Sequence, residues 1–324
     1  MAVNQQGSSV IVAGGSGIGP REFAADRWFC DQNDPAGEGR CQITTAAPRG
    51  FLQSVKLWRN SGASAQQICM MQEIESSKAV GLQGRNVVLS LWGTAPSGSQ
   101  SVAGYVISGT GVDEGLAALT ATPAVTPAWT GLHVNGMAAW GLTTGWNRNW
   151  SPPIAIPANA TEIGVEICFI PVGANPVEIT GIQLEATLAS TSGGQPPGPS
   201  AFDMRSQQSE LLEAQRFFWQ LNEPLSGVPV AGACEATAGS TNLCVLPLQV
   251  LMRGSTPTLS VVAAGDFQVN VAGAPTTLVP TAGPCSTTAC QVNGTNTDTA
   301  GHLQLLSGGP GGGGIWTVSS DKVM

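Results

Sequence analysis

From Arg27 onward the chain is cut into short apolar or alternating runs, each bounded by clusters of Gly, Ser, Pro or Asn, and this punctuation limits the fold more than any other feature. Runs of about 6 to 12 residues are too short for helices that bury a useful face, but they suit strands. Gly39 to Thr45, Phe51 to Trp58, Gln67 to Ile74, Asn86 to Gly93, Val102 to Ser108 and Ile163 to Ile170 are such runs. Val87 to Trp92 is almost continuously apolar, which predicts an inner strand covered on both faces. Val177 to Glu185 alternates and closes the set. The expectation is an all-β sandwich.

Residues Thr191 to Ser200, reading TSGGQPPGPS, have the composition of a solvated, semi-extended linker and mark a domain boundary. Beyond it, Leu211, Leu212, Gln215, Phe218 and Leu221 fall near helical spacing. They predict a helix from Ser206 to Leu221, capped by Asp203 or Ser206 and ended by Asn222 and Pro224. Strand-and-turn texture returns from Val228. Cys244 to Met252 and Thr258 to Ala263 are its best strands, and a Gly308 to Gly314 loop precedes Ile315 to Val318. The expected organisation is an arm over 1–22, a first β domain over 23–190, a linker over 191–205, a helix over 206–222 and a smaller C-terminal β-sandwich domain over 223–324.

Asp, Glu, Lys and Arg make up only 10% of the chain, against about a quarter ordinarily. The net charge is −8 and basic residues are scattered singly, so nothing is built to neutralise a run of phosphates and nucleic acid is not expected as a partner. No apolar run approaches the roughly 20 residues needed to cross a bilayer, so membrane insertion is not expected either. Met1 to Val10 lacks the basic and apolar segments of a secretory signal, so none is expected.

Val10 to Ala13 followed by Gly14-Gly-Ser-Gly-Ile-Gly19 imitates the glycine-rich turn of short-chain dehydrogenases. A dinucleotide turn must open a helix whose N-terminus holds the pyrophosphate, yet Pro20 follows and no βα alternation comes after it. That family also needs a Lys four residues after its Tyr, and the sole tyrosine, Tyr105, is followed there by Gly109. A flexible arm or an edge strand is the expected structure, with no cofactor. The only histidines, His133 and His302, lie in no nucleophile motif, so no catalytic residue is assigned. Asp26, Glu73, Glu75, Glu162, Glu166 and Glu185 are carboxylates on strands or strand ends from which a glycosidase pair would have to come.

Eight cysteines stand at Cys30, Cys41, Cys69, Cys168, Cys234, Cys244, Cys285 and Cys290. Cys30/Cys41, Cys234/Cys244 and Cys285/Cys290 are close enough for each to staple a hairpin, and the spacing leaves open disulfides or buried thiols. No zinc-knuckle spacing occurs, so no metal is expected. Nine tryptophans stand against one tyrosine, and Trp129, Trp140, Trp146 and Trp150 crowd one stretch. Such rings either stack on sugars or other partners or fill the core. Trp28, Trp58 and Trp92, inside strand-like runs, are expected in the core; Trp146 and Trp150, near loops, suit contact or packing alike.

Several passages resemble phage tail-fibre and related virion proteins whose central part is a carbohydrate-binding-module-like jelly roll. Phe23-Ala-Ala-Asp-Arg-Trp28 is similar to the opening aDRW strand, and Gln72-Glu-Ile-Glu75 to the Q-x-I-E segment. Leu82 to Trp92 is similar to the L-x-G-x-x-V-T-L-S-F-W strand, and Gly145-Trp146 through Ile156-Pro-Ala-Asn-Ala-Thr161 to the G-W … I-P-A-N-A-T passage. Ile179 to Glu185, Pro199-Ser-Ala-Phe202 and Ser209 to Phe218 resemble v-Q-L-E … P-F-E … E-E-L-x-x-C-Q-R-Y-Y, with Ala214 in place of the Cys and Phe217-Phe218 in place of the tyrosines. Leu251-Met-Arg253 with Thr256-Pro-Thr258 is similar to the v-x-M-R-x-x-P-T strand of the C-terminal β domain.

The resemblance implies a jelly-roll sandwich and a non-catalytic protein at the virion surface, a tail or head fibre or receptor-binding component that meets host glycans. It implies a multimer, commonly a trimer, and the apolar Leu211, Phe217, Phe218 and Trp219 are the candidate docking residues. The short stretch before the jelly roll leaves no room for a separate shaft, so attachment to capsid, neck or tail proteins falls to the arm, the helix or the C-terminal domain. A capsid or neck decoration protein is the main competing function. A polysaccharide depolymerase is another, and it predicts two close carboxylates, one with a raised pKa.

Overall fold

A computed structural model describes residues 11–12, 22–25, 27–32, 39–60, 67–114, 129–170, 175–188, 198–204, 207–216, 218–223, 229–238, 241–252, 257–261, 267–271, 274–286, 288–295, 303–308 and 314–319. Its contacts divide the chain into two units, 1–210 with 323–324, and 211–322. The described structure is overwhelmingly β, as the segmentation predicts. No helix among the described residues is long and apolar enough to cross a membrane.

Unit 1 runs through β1 (Ile11–Val12), β2 (Glu22–Ala25), β3 (Trp28–Gln32), β4 (Gly39–Thr44), β5 (Ser54–Arg59) and β6 (Ile68–Ile74). A single helical turn, α1 (Ser76–Ala79), then leads to β7 (Asn86–Thr94), β8 (Gln100–Gly109), β9 (His133–Leu142), β10 (Asn147–Trp150), β11 (Ile154–Ala155), β12 (Glu162–Phe169) and β13 (Val177–Thr187). Seven of these strands form one sheet in the order β1-β4-β5-β13-β7-β10, with β11 also on β7; the other six form a second sheet, β2-β3-β6-β12-β8-β9. The chain passes repeatedly from one sheet to the other, the jelly-roll sandwich that the resemblance implies.

Side chains that alternate toward the interior make the core. Cys41, Ile43, Val55, Leu57, Leu89, Leu91, Val177 and Ile179 of the seven-stranded sheet meet Met70, Val102, Val106, Ile163, Val165, Ile167 and Phe169 of the six-stranded one. β7 lies between β13 and β10, and Val87 to Leu91 are all buried, as an inner strand requires. β1 pairs antiparallel with β4 as an edge strand, unlike the parallel strand of a dinucleotide fold. Gly14 to Gly19 lie outside the described residues.

Four disulfides join the eight cysteines. Cys69 and Cys168 face each other across β6 and β12. Cys30–Cys41 is not the hairpin staple its spacing suggests. β3 and β4 belong to opposite sheets and both cysteines point inward, so the bond ties the two layers together.

The helix expected from Ser206 to Leu221 is shorter. α2 spans Gln207–Gln215, and from Phe218 the chain is β14 (Phe218–Glu223). Aromatic residues favour a strand wherever a partner is available. Here β14 pairs along its length with β22 (Gly314–Ser319), a partner distant in sequence. β17 (Thr258–Val261) completes that three-stranded sheet.

The remaining strands of unit 2 are β15 (Pro229–Ala238), β16 (Thr241–Pro247), β18 (Phe267–Val271), β19 (Ala274–Cys285), β20 (Ala289–Thr295) and β21 (Leu303–Gly308). They close into a barrel, β15-β16-β20-β19-β18-β21, not the expected sandwich; strand texture shows that strands are present but not whether the first and last of them pair. Cys234–Cys244 and Cys285–Cys290 each join residues directly opposite on neighbouring barrel strands.

Candidate functional site

Register decides which side chains a sheet offers to its outer face. On the seven-stranded sheet Arg148 lies beside Trp92, and Trp150 beside Ser90. On the other side of β7, Gln183 lies beside Ser90 and Glu185 beside Val88. Toward the opposite edge, Glu178 lies beside Lys56, and Trp58 beside Arg40. Since Val55, Leu57, Leu89 and Leu91 point into the core, all these intervening residues point outward.

Trp58 and Trp92, expected in the core, are therefore outer-face residues and only half-buried. Lys56 Nζ sits 4.8 Å above the Trp58 ring. Trp92 packs 6.3 Å from Phe51, which meets Phe202 edge-on at 5.0 Å. Trp28 is a core residue, as expected.

The four clustered tryptophans separate. Trp140, 7% exposed, lies in the core, and its Nε1 donates to the Trp150 carbonyl at 3.0 Å. It fills space left open by Gly104, where an added Cβ would stand 2.5 Å from the ring. Trp129, 3% exposed, is packed beside Gly109. Neither Trp129 nor Trp140 presents a ring to a ligand, a correction to their candidacy. Trp146 is half-buried. Trp150 is 46% exposed on β10, an edge strand, and is the one exposed Phe, Tyr or Trp among the described side chains.

Beside Trp150 lies a polar network that the sequence does not reveal. Residues 198–204 cross this face. Glu185 Oε1 accepts the Ser200 backbone N–H at 2.6 Å, and Oε2 accepts the Ser200 hydroxyl at 2.5 Å. Gln183 Nε2 donates both to Glu185 and to the Ser200 hydroxyl, the latter at 3.2 Å. Gln183 Oε1 accepts the Asp203 N–H at 3.1 Å. Arg148 donates to the Ser200 carbonyl at 2.5 Å and, through its other terminal nitrogen, to Ser90 Oγ at 3.1 Å. Partial burial works to raise the Glu185 carboxyl, but the Ser200 and Gln183 hydrogen bonds and the Arg148 charge outweigh it and hold it below its ordinary value.

Among the described residues, the carboxylates proposed from sequence do not form an accessible pair. Glu73 and Glu166 share the outer face of the six-stranded sheet as diagonal neighbours, but both are fully buried. Glu162 Oε1 accepts the Glu114 N–H at 2.6 Å, and the Glu75 carbonyl starts α1. Asp26 and His302 lie outside the described residues. On the seven-stranded sheet, burial raises the Glu178 carboxyl against the opposing pull of Lys56. With Glu185 lowered, the two are displaced in opposite senses, the mark of an acid and base pair. The register nevertheless sets their partners Thr94 and Val88 six residue steps apart on β7. That is about 20 Å of strand, well beyond the roughly 5 to 9.5 Å that glycoside hydrolysis uses.

Tyr105 faces Glu166 across the six-stranded sheet and packs on the Cys69–Cys168 disulfide. Burial first, then the Glu166 charge, raises its phenol, against a hydrogen bond with Gln67. Cys69, Glu166 and Cys168 converge within 4.8 Å, a spacing that suits a metal ion. Both sulfurs are committed to the disulfide, leaving no thiolate to ligate one.

Of the docking candidates, Leu211 is half-buried on α2, while Phe218 and Trp219 belong to β14. These residues therefore share no helix face. Phe217 and the side chains of Phe218 and Trp219 lie outside the described residues.

No protein-family model and no curated protein matches the chain. Among solved structures, a family 4 carbohydrate-binding module is similar at 12% identity and a TM-score of 0.34, covering 55% of this chain and 95% of that one. The family 11 carbohydrate-binding module of a cellulosomal cellulase of Clostridium thermocellum is similar at 7% identity and 0.33, over 53% of this chain and 98% of that one. The enzymatically active domain of a tailspike protein of bacteriophage CBA120 is similar at 10% identity and 0.32, over 50% of this chain but only 19% of that one.

Proposed function

We propose that this chain is a non-enzymatic surface component of a bacteriophage particle, and that unit 1 contacts host-cell glycan through the outer face of its seven-stranded sheet. The exposed Trp150 ring carries this reading. An edge-strand indole two residues from Arg148 and two strands from Gln183 offers a flat apolar surface with planar polar groups on the same face, the combination that a pyranose, apolar on its faces and hydroxylated around its edge, requires. The roughly 20 Å between Glu178 and Glu185 favours binding over cleavage on this face. The virion role, attachment to capsid, neck or tail proteins and assembly as a homotrimer follow from the sequence resemblance.

The test is binding of the purified chain to arrayed oligosaccharides from bacterial surface polysaccharides, with the Trp150→Ala variant alongside. Loss of stacking on one indole is expected to weaken binding at least about tenfold, the effect of 1.4 kcal/mol. Undiminished binding by Trp150→Ala would move the contact elsewhere. No binding, together with density lying flat on the capsid or collar in images of the particle, would make the protein a decoration component instead.

A further inference from the structure

The way Ser200 is held carries an inference about the same face, one that rests on the glycan reading above. In serine the backbone N–H and the hydroxyl sit on adjacent carbons, three bonds apart, as the two oxygens of a vicinal diol do. One carboxylate, Glu185, accepts from both. The hydroxyl that donates to Glu185 also accepts from Gln183, and Arg148 donates to the neighbouring carbonyl oxygen. A ring hydroxyl of a saccharide makes this paired donation and acceptance, and bidentate acceptance by a carboxylate suits adjacent hydroxyls.

The groups that make these bonds are preset. Arg148 is braced by Ser90, and Gln183 is braced by its bond to Glu185. Trp150 stands two residues along β10 from Arg148, and two strands, about 10 Å, from Gln183. What occupies the position faces solvent and is held by the hydrogen bonds to Glu185, Gln183 and Arg148. Ser200, Ala201 and Asp203 are exposed, and the principal apolar anchor of the segment is Phe202 against Phe51.

We infer that residues 198–204 are an internal stand-in for saccharide: Ser200 fills a vicinal-diol subsite made by Glu185, Gln183 and Arg148, and a sugar with a free 1,2-diol enters by displacing it. Arg148, Gln183 and Glu185 are only half-buried with the segment seated, so a sugar that enters competes with the segment and then with water for the same hydrogen bonds. The competition lowers apparent affinity by the fraction of molecules in which the segment is seated.

The experiment uses the full chain, the same oligosaccharide array, and hydrogen exchange at the Ser200 and Asp203 amides. The Ser200→Ala/Phe202→Ala variant removes one donor and the apolar anchor while leaving Glu185, Gln183, Arg148 and Trp150 in place. It is expected to bind about threefold tighter or more, and a saturating oligosaccharide is expected to speed exchange of both amides in the unaltered chain. Blocking the 1,2-diol by O-methylation should abolish both effects. If oligosaccharide binds and Trp150→Ala weakens it, but amide protection holds and the double variant gains nothing, the segment is a fixed anchor; the inference falls while the glycan face stands. If no form of the chain binds any oligosaccharide, the glycan face itself falls, and the inference with it.

Discussion

Removing the Cys69–Cys168 bridge should destabilise unit 1 more than removing Cys30–Cys41. The first pair closes a loop of 99 residues and the second a loop of 11. Cys69 and Cys168 lie directly opposite on strands that the backbone ladder already joins, so their bond adds little to the folded geometry and acts chiefly by restricting the unfolded chain. The chain-entropy relation assigns about 4.7 kcal/mol to a loop near 100 residues and about 2.8 kcal/mol to one near 12. Alanine at both positions of either pair deletes two buried sulfurs, so the cavity contributions are similar and the difference of about 2 kcal/mol reports loop length. For a unit near 200 residues, each kcal/mol moves the melting temperature by about 2 to 4 °C. The Cys69→Ala/Cys168→Ala chain should therefore melt roughly 9 to 19 °C lower, and Cys30→Ala/Cys41→Ala roughly 6 to 11 °C lower. Calorimetry without reductant, following the unit 1 transition, measures both. An equal or larger loss for the Cys30–Cys41 pair would refute the reasoning and show that the tie between sheets outweighs loop length.

Gly104→Ala should cost about 1 to 3 kcal/mol by overpacking, because its Cβ would stand 2.5 Å from the Trp140 ring, whose indole N–H is tied to the Trp150 carbonyl; an unchanged melt and near-ultraviolet circular dichroism would contradict that packing. Acid should release residues 198–204. The Glu185 carboxyl is held below its ordinary value of 4.5, so its contribution is fully present above about pH 4.5 and is lost as pH falls through the lower folded value. Protection of the Ser200 amide, corrected for the pH dependence of intrinsic exchange, should be flat from pH 7 to about 5 and decline below; a decline complete by pH 5 would assign the control to another group.

Much of the molecule is legible from local pattern. The runs at Gly39, Asn86, Ile163 and Val177 became β4, β7, β12 and β13 with bounds that shift by a residue or two. β9 escaped notice because Asn135, Gly136 and Gly141 look like turn residues. As the edge of its sheet, β9 tolerates them. The helical spacing through Leu221 was equally misleading, since the bulky Phe218 and Trp219 suit a strand as well and pairing with β22 decides between the two.

The sequence by itself determined that this chain is mainly β, where most of its described strands lie and where its cysteines sit along the chain. Those properties follow from side-chain period and turn chemistry, which act over a few residues. The tertiary structure decided that Trp58, Trp92 and Trp150 face outward while Trp140 turns in, that Cys30 reaches across to the other sheet, and that Ser200 lies on Glu185. Alternation shows that neighbours point to opposite sides, but which side is the core depends on the pairing partner, and a slip of one residue would exchange the two faces. That choice is made by strands far apart in the chain, such as β7 with β13 and β5 with β13, and no local pattern encodes it.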